Sequence, residues 1–521
     1  MGIIYQKDKR VGITYAYESE SYWDKDKKQP RSKRKLIGRV DETTGEIIPT
    51  RERKLPLPAP SAKRTFCGAT YLFDTLGKEL GIWQDLKKCF PQQYAQILSV
   101  AYYLILEDRN PLSRFSKWAA IHRHPYGKDI PSQRSSDLFA GITEDAKNEF
   151  FILQGRRKKE REYWFYDATS ISSYAKSLAQ VRYGHNKDHE HLGQINLAVL
   201  YGEESQLPFY YRKLPGNITD VKTVKNLIAD IGQFEFKKVK LVMDRGFYSE
   251  DNVNALLGAH LKFLIGVKMS LLYVQDVLAQ TSDEMRDFNH YHPDYDLYTC
   301  SRTIPWDYKQ DRPYKGDTIE EERRMYLHLY YSGEKALEDE RTLNAKLVSW
   351  KEELESGKTD AANEKSYAKY FEVKATPIRG VKVTVKQKAI EKAKKSYGYF
   401  AMISNEIKDP VKALMLYRNK DLIEKAFENI KERLSFRRAL VSSEKSLDGK
   451  LFVEFIALII LSEIKRRMQE VELFRKYTMQ EMLDQIDLIE CFEHKGKTAR
   501  YGEIVKKQSD IYEALGVNLP T

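Results

Sequence analysis

"KKVKLVMDRGFYSE", residues 237–250, decides the fold of this chain. Val239, Leu241, Val242 and Met243 are the residues of a strand buried on both faces, and Asp244, Arg245 and Gly246 end it in a polar turn. Downstream, "SEDNVNALLGAH" reads as a helix with Ser249 as its N-cap, and "LKFLIGVK" as another buried strand. Upstream, "TDVKTVKNLIADIG" reads as a helix, preceded by three strand candidates, "REYWFYDATSIS", "GQINLAVLYG" and "LPFYYRKLP". The order is therefore three strands, helix, strand, helix, strand, which describes a mixed sheet with helices, in the α/β class.

Outside this block the pattern changes. Residues 66–159 are helical, punctuated by Gly and Pro, and suit either a DNA-contacting or dimerising module or a plain helical domain. The first fifty residues alternate short β-like runs with turns. Within them "KKQPRSKRKLIGR", residues 27–39, has seven basic residues and no acid, and reads as a solvated, flexible loop. "LPLPAPS", Leu55 to Ser61, has the alternate prolines of an extended linker and sets a boundary near residue 61. Residues 271–405 hold β-like pieces around a charged helical stretch and read as an insertion. The C-terminal region is helical: "FIALIIL", 455–461, is too short for the roughly 20 residues of a membrane span and reads as a buried helix, and Thr478 and Glu481 have capping-box spacing.

The composition narrows the partners. The chain has 521 residues and a net charge of +12, from 87 Lys and Arg against 75 Asp and Glu, which favours an acidic partner. Cys67, Cys89, Cys300 and Cys491 form no CxxC pair, which argues against a zinc ribbon or a disulfide framework and fits the cytoplasm. His185, His189 and His191 in "GHNKDHEH" match no common zinc spacing and read as a polar loop. No signal peptide is expected.

Candidate chemistry lies in the acids. Asp167 ends the strand candidate "YWFYD" and Asp244 ends "VKLVMD", so both either face the crevice where α/β proteins bind ligands or cap a following turn or helix, and two at similar places in neighbouring strands favour the crevice. A third acid comes from "YRNKDLIEKAFENIKERL", residues 417–434. At about 100° per residue, Tyr417, Lys420, Glu424 and Lys431 fall in one wedge of roughly 60°, with Glu428 nearby as a rival. Leu416, Ile423, Ala426, Phe427, Ile430 and Leu434 occupy another face, which can pack on the sheet.

This set resembles the DDE transposases of bacterial insertion sequences, in the group with an RNase H-like core, a β-rich insertion and a Tyr-x2-Arg-x3-Glu-x6-Lys signature. Every spacing holds here, with Lys420 where that group has Arg, so the charge is kept but the planar bidentate grip is not. Arg418 is a second source of a guanidinium. The resemblance runs from about Tyr163 to Lys450 and includes "LPGNITD" and "YFAMISN". It implies an RNase H-like mixed sheet interrupted by a β-rich insertion, with flanking helical regions. The expected domains are 1–61, basic and β-rich with the linker; 62–160, helical; 161–270 and 406–441, the two parts of the catalytic core; 271–405, the insertion; and 442–521, helical.

The implied enzyme is a metal-dependent transposase in which Asp167, Asp244 and Glu424 are catalytic and hold two Mg²⁺ ions, with Mn²⁺ as a substitute. Tyr417, Lys420, Lys431, Arg245 and Arg418 would hold phosphates, and Lys33, Arg34 and Lys35 would add backbone attraction. The implied partners are double-stranded DNA with terminal inverted repeats, target DNA and a second copy of the chain, with no membrane, in a bacterial cytoplasm at the nucleoid. The resemblance also implies a stacking platform for a flipped base, at Trp306 or the Tyr residues near it, although an aromatic in a β-rich insert also reads as core. Two other readings are a catalytically inactive, transposase-derived DNA binder and an RNase H-like metal-dependent nuclease.

Overall fold

A computed structural model describes residues 2–24, 27–49, 63–107, 110–157, 162–175, 178–188, 190–234, 236, 238–312, 316–376, 380–434, 443–494 and 498–521. The proline-rich segment and the domain boundary near residue 61 lie outside the described residues, as does His189. The chain divides into two compact units, one of Met1–Lys63 with Glu493–Thr498, the other of Arg64–Phe492 with Ala499–Thr521.

The first unit is built on a four-stranded antiparallel sheet of β1 (Gly2–Lys7), β2 (Thr14–Asp24), β3 (Gln29–Val40) and β4 (Ile47–Pro49), in that order. The basic run expected as a loop is the strand β3. Its charges are tolerated there because Lys35 lies opposite Glu18, and Lys33 opposite Glu20, so opposite signs face each other across the ladder. Arg34 points to the other face, opposite Ser19.

In the second unit β5 (Lys63–Phe66) leads into a helical layer: α1 (Gly68–Glu79), α2 (Ile82–Cys89), α3 (Tyr94–Leu106), α4 (Phe115–Ile121), α5 (Ser132–Ala140) and α6 (Glu144–Arg156). The core block follows in the expected order, β6 (Tyr163–Ser173), β7 (Gly193–Gly202), β8 (Pro208–Pro215), α7 (Asp220–Gln233), β9 (Lys240–Met243), α8 (Glu250–Gly258) and β10 (Lys262–Val267). In space the strands run β8-β7-β6-β9-β10, with β6, β9 and β10 parallel and β7 and β8 antiparallel to their neighbours. This is the RNase H-like mixed sheet. All eleven residues of β6 are buried, as expected for a strand covered on both faces.

Then come α9 (Leu272–Met285), β11 (Tyr291–His292), the long hairpin β12 (Leu297–Arg312) and β13 (Asp317–Tyr331), α10 (Gly333–Ser356), α11 (Glu364–Tyr370), the hairpin β14 (Phe371–Thr376) and β15 (Gly380–Val385), α12 (Gln387–Lys394) and β16 (Tyr399–Ser404). The segment expected as a β-rich insertion carries long helices as well. Its strands β16, β13, β12 and β11 continue the core sheet from β10 outward to make nine strands, because β16 pairs antiparallel with both β10 and β13. Leu347, Tyr370, Phe371 and Ile390 form a small apolar cluster of their own among α10, α11, β14 and α12.

The signature segment follows as α13 (Pro410–Arg418) and α14 (Asp421–Glu428), and α15 (Glu444–Glu470) closes the core. Helix α15 packs on α3, α5 and β8, with Phe452 and Phe455 against Phe90, Phe151 and Tyr211. Burial on nearly every face explains the "FIALIIL" run, since each such side chain contributes about 1.5–3 kcal/mol when removed from water. Among the described residues no helix is long and apolar enough to cross a membrane. Thr478 and Glu481 form the expected capping box.

Candidate active site

The site begins where two parallel strands part. Strands β6 and β9 stay paired to Tyr166 and Met243, and the next residues are Asp167 and Asp244. Here the sequence expectation needs one correction: Asp167 does not end its strand. Pairing with β7 carries β6 on to Ser173, so Asp167 sits mid-strand where β9 turns away. Asp244 leaves β9 and caps a short 3-10 turn, its Oδ1 accepting the Arg245 N–H at 2.8 Å. Asp167 Oδ1 accepts the Ala168 N–H at 2.8 Å.

The signature stretch was expected as one continuous helix. It is instead a corner. Helix α13 ends at Arg418, and tight i to i+3 bonds bridge the gap: Lys420 N–H to Tyr417 O (3.2 Å), Leu422 N–H to Asn419 O (3.0 Å) and Ile423 N–H to Lys420 O (3.0 Å). The Asn419 side chain pins the corner to Glu203 at 2.9 Å. After Glu428 the chain takes a π-helical turn, Asn429–Arg433, closed by the Leu434 N–H on Asn429 O at 2.9 Å.

This corner brings the signature residues onto the strand acids. The Tyr417 hydroxyl donates to Asp244 Oδ1. The Lys420 ammonium lies 3.6 Å from Asp244 Oδ2 and 3.0 Å from Glu424 Oε1, and its charge also acts on Asp167. Lys420 thus contacts two of the acids, Asp244 and Glu424, and reaches Asp167 only through its charge. The charge of Glu428, the rival acid, acts on Lys465 of α15. Gly266 on β10 leaves the room for this approach, since a Cβ there would stand 3.0 Å from the Tyr417 hydroxyl and 3.2 Å from the Arg245 nitrogen.

The two strand acids differ in environment. Burial pushes the Asp167 carboxyl above the usual carboxylate range, against the opposing pull of Lys187 and Lys420. Burial also works against the Asp244 carboxylate, but the Tyr417 hydroxyl, the Lys420 ammonium and the Arg245 N–H outweigh it and hold the group below that range. Burial would lower Lys420, yet Asp244, Asp167 and Glu424 together raise it, so it stays an ammonium. Burial and then the Asp244 charge raise Tyr417, which remains a donor.

Three residues that sequence reasoning missed complete the site. The Lys187 ammonium donates to the Ala168 carbonyl and lies 3.5 Å from Asp167 Oδ1 and 3.6 Å from Asp220 Oδ2. Asp188 holds Lys431 through both oxygens, at 2.7 and 2.8 Å. Lys187 and Asp188 belong to the "GHNKDHEH" loop, where the histidines drew attention and the charged pair between them did not. Asp220, which opens α7, is the last residue of the "LPGNITD" stretch that carried part of the resemblance, but nothing singled out its carboxylate.

Other expected residues lie elsewhere. The Arg418 guanidinium stacks over Tyr295 at 5.1 Å and does not substitute for Lys420. Arg245 is exposed and lines a cavity of about 930 Å³ with Lys335, Lys346, Lys365, Lys369 and Trp350. Lys33, Arg34 and Lys35 are exposed on β3 of the first unit. Trp306 is not a stacking platform: it is 7% exposed, its Nε1–H donates to Asn254 Oδ1 at 2.9 Å, and its ring packs edge-on to Tyr273. It is a core residue because α8 and α9 cover that stretch of β12.

A hard divalent ion suits this donor set of carboxylate oxygens, and the Lys420 ammonium already meets Asp244 and Glu424 as a cation would. Among the described residues no group of three or more His, Cys, Asp or Glu side chains, Asp167, Asp244 and Glu424 included, is drawn together tightly enough to hold a metal with the side chains as they stand. His185 and His191 form no such centre.

Residues 159–460, more than half of the chain, match the transposase DDE domain family, and the chain belongs to that family. Its members are metal-dependent enzymes that cleave DNA and transfer strands. No curated protein is a significant match. Among solved structures, a piggyBac transposase synaptic complex with hairpin DNA, determined by cryo-EM, aligns with a TM-score of 0.38 and 10% identity over 76% of this chain and 70% of that one. A likeness that loose carries nothing about the chemistry here.

Proposed function

We propose that this transposase cuts DNA at the inverted-repeat ends of a bacterial insertion sequence and joins the freed ends to target DNA, with Asp167, Asp244 and Glu424 as its catalytic acids. The observation that carries this reading is that the Lys420 ammonium lies 3.6 Å from Asp244 and 3.0 Å from Glu424, with Asp167 on the strand β6 that pairs with β9 up to the residue before each strand acid. Metal held by these carboxylates, as two Mg²⁺ ions with Mn²⁺ as substitute, would supply an activated nucleophile and a stabilised leaving oxygen. Asp167 and Asp244 offer oxygens from a rigid sheet, and Tyr417 orients Asp244.

Overall, water adds to the phosphorus at a transposon end while the bond to the 3′ oxygen breaks, freeing a 3′-hydroxyl. That hydroxyl then adds to a target phosphate, displacing the target's own 3′ oxygen. Lys420, Lys187, Lys431 and Arg245 position phosphates and neutralise charge; such contacts carry register and affinity but little sequence information. The basic cavity beside Arg245 offers further backbone contact, and Lys33, Arg34 and Lys35 offer more on the first unit. A dimer would bridge two ends in the bacterial cytoplasm at the nucleoid.

The test supplies inverted-repeat DNA from the flanks of the gene with Mg²⁺. The protein should cleave at the repeat tips, and Asp244→Ala should bind the same DNA with cleavage reduced by at least about a thousandfold. Binding without cleavage by the unmodified protein would leave an inactive binder; branch-specific cutting without end preference would make it a nuclease.

A further inference from the structure

Lys420 stands among the acids at a position where the resembling group carries Arg. Its side chain is 11% exposed, while Glu424, which it contacts, is 56% exposed. Its backbone is fixed at the corner between α13 and α14 through the Tyr417 carbonyl and the Ile423 and Glu424 N–H groups. The side chain is not so fixed, because it is a point charge on four rotatable carbons rather than a planar fork. An ammonium at 3.0 and 3.6 Å from two carboxylates occupies the oxygens that a divalent ion needs. It also offsets the repulsion between Asp244 and Glu424, the two acids it contacts.

Resting on the assignment of the three acids above, we propose that Lys420 is a resident cation that competes with the metal for Asp244 and Glu424, and that swings off them onto a DNA phosphate when the metal loads. The protein without DNA then binds metal weakly, and the charge that leaves the acids reappears where the polyanion needs it. Metal loading and engagement of a DNA end are thereby coupled through one side chain, and the coupling is reciprocal. Lys420 acts on the metal through its ligands and is a positioning residue for that event.

The experiment titrates Mn²⁺ into the full-length protein without DNA, reading free Mn²⁺ by electron paramagnetic resonance. Lys420→Met is expected to bind Mn²⁺ about tenfold tighter or more, the effect of removing one like-signed neighbour. Lys420→Arg keeps the charge and is expected to stay near the unmodified affinity. Independently, labelling of the Lys420 amine by a small acylating reagent, followed by mass spectrometry in the unmodified protein, should speed up several-fold when Mn²⁺ is added. Unchanged or weaker binding by Lys420→Met, or labelling that Mn²⁺ does not speed, overturns the proposal. The assignment beneath it fails differently: Asp244→Asn and Glu424→Gln would then bind Mn²⁺ as well as the unmodified protein does.

Discussion

Asp167 and Asp244 are neighbours at the end of one strand pair, yet one carboxyl is raised and the other lowered. The difference lies in what each touches. Asp244 has the Tyr417 hydroxyl and Lys420 against it, whereas Asp167 is more deeply buried and relies on the longer reach of Lys187 and Lys420. The raised group protonates first as pH falls, from above the usual carboxylate value of about 3.9, so in the metal-free protein Asp167 should titrate before Asp244. Lys187 is the strongest influence pulling Asp167 down. Lys187→Met should therefore raise that carboxyl further, read as a carboxyl titration by carbon-13 NMR in the metal-free protein. A titration that stays put or moves to lower pH would show that Lys187 does not act through Asp167.

At the scale of elements, the corner between α13 and α14 does what a straight helix could not. It lets Tyr417 approach from the end of one helix and Glu424 from the first turn of the next, with Lys420 between them. The approach depends on a missing side chain in β10. Gly266→Ala would place a methyl group at 3.0 Å from the Tyr417 hydroxyl and 3.2 Å from the Arg245 backbone nitrogen, and only the tyrosine end can yield cheaply. Overpacking of this kind costs about 1–3 kcal/mol. The variant should unfold at lower denaturant concentration and cleave at least about tenfold more slowly, since Tyr417 loses its aim on Asp244. A normal unfolding midpoint with a normal rate would mean the strand has more room than its geometry indicates.

Across the whole molecule, the net charge of +12 is spread over both units, so DNA affinity should fall steeply with salt. The contribution of β3 can be isolated. Replacing Lys33, Arg34 and Lys35 together by Ala should flatten the slope of log K against log salt by up to about 0.9 per lost phosphate contact, about 2.7 in all. The shift should be smaller if Glu18 and Glu20, opposite Lys35 and Lys33, already hold part of that charge. Because these side chains are exposed, the unfolding midpoint should hardly move. An unchanged salt slope would remove β3 from the DNA-contacting surface.

Much of this was legible beforehand. Alternation and apolar runs identified β6 to β10 in order, because periodicity is a local property of the chain, and the resemblance drew attention to Tyr417, Lys420 and Glu424, which the corner brings beside Asp244. Charge alone misled for the basic run, which is a strand because β2 lies beside it with acids in register, and the resemblance misled for Trp306, which is core because two helices cover it. Lys187 and Asp188 lay in the "GHNKDHEH" loop and Asp220 at the end of "LPGNITD", but neither stretch marked them as partners of the acids. The amino-acid sequence thus determined which elements form and which residues could do chemistry. Only the tertiary structure decided which charges meet, since the Tyr417–Asp244 bond spans 173 positions and the Lys431–Asp188 pair 243. Electrostatic and hydrogen-bond partners are set by distance in space, and across such separations that distance is a product of how the sheet, the corner and the loop pack together.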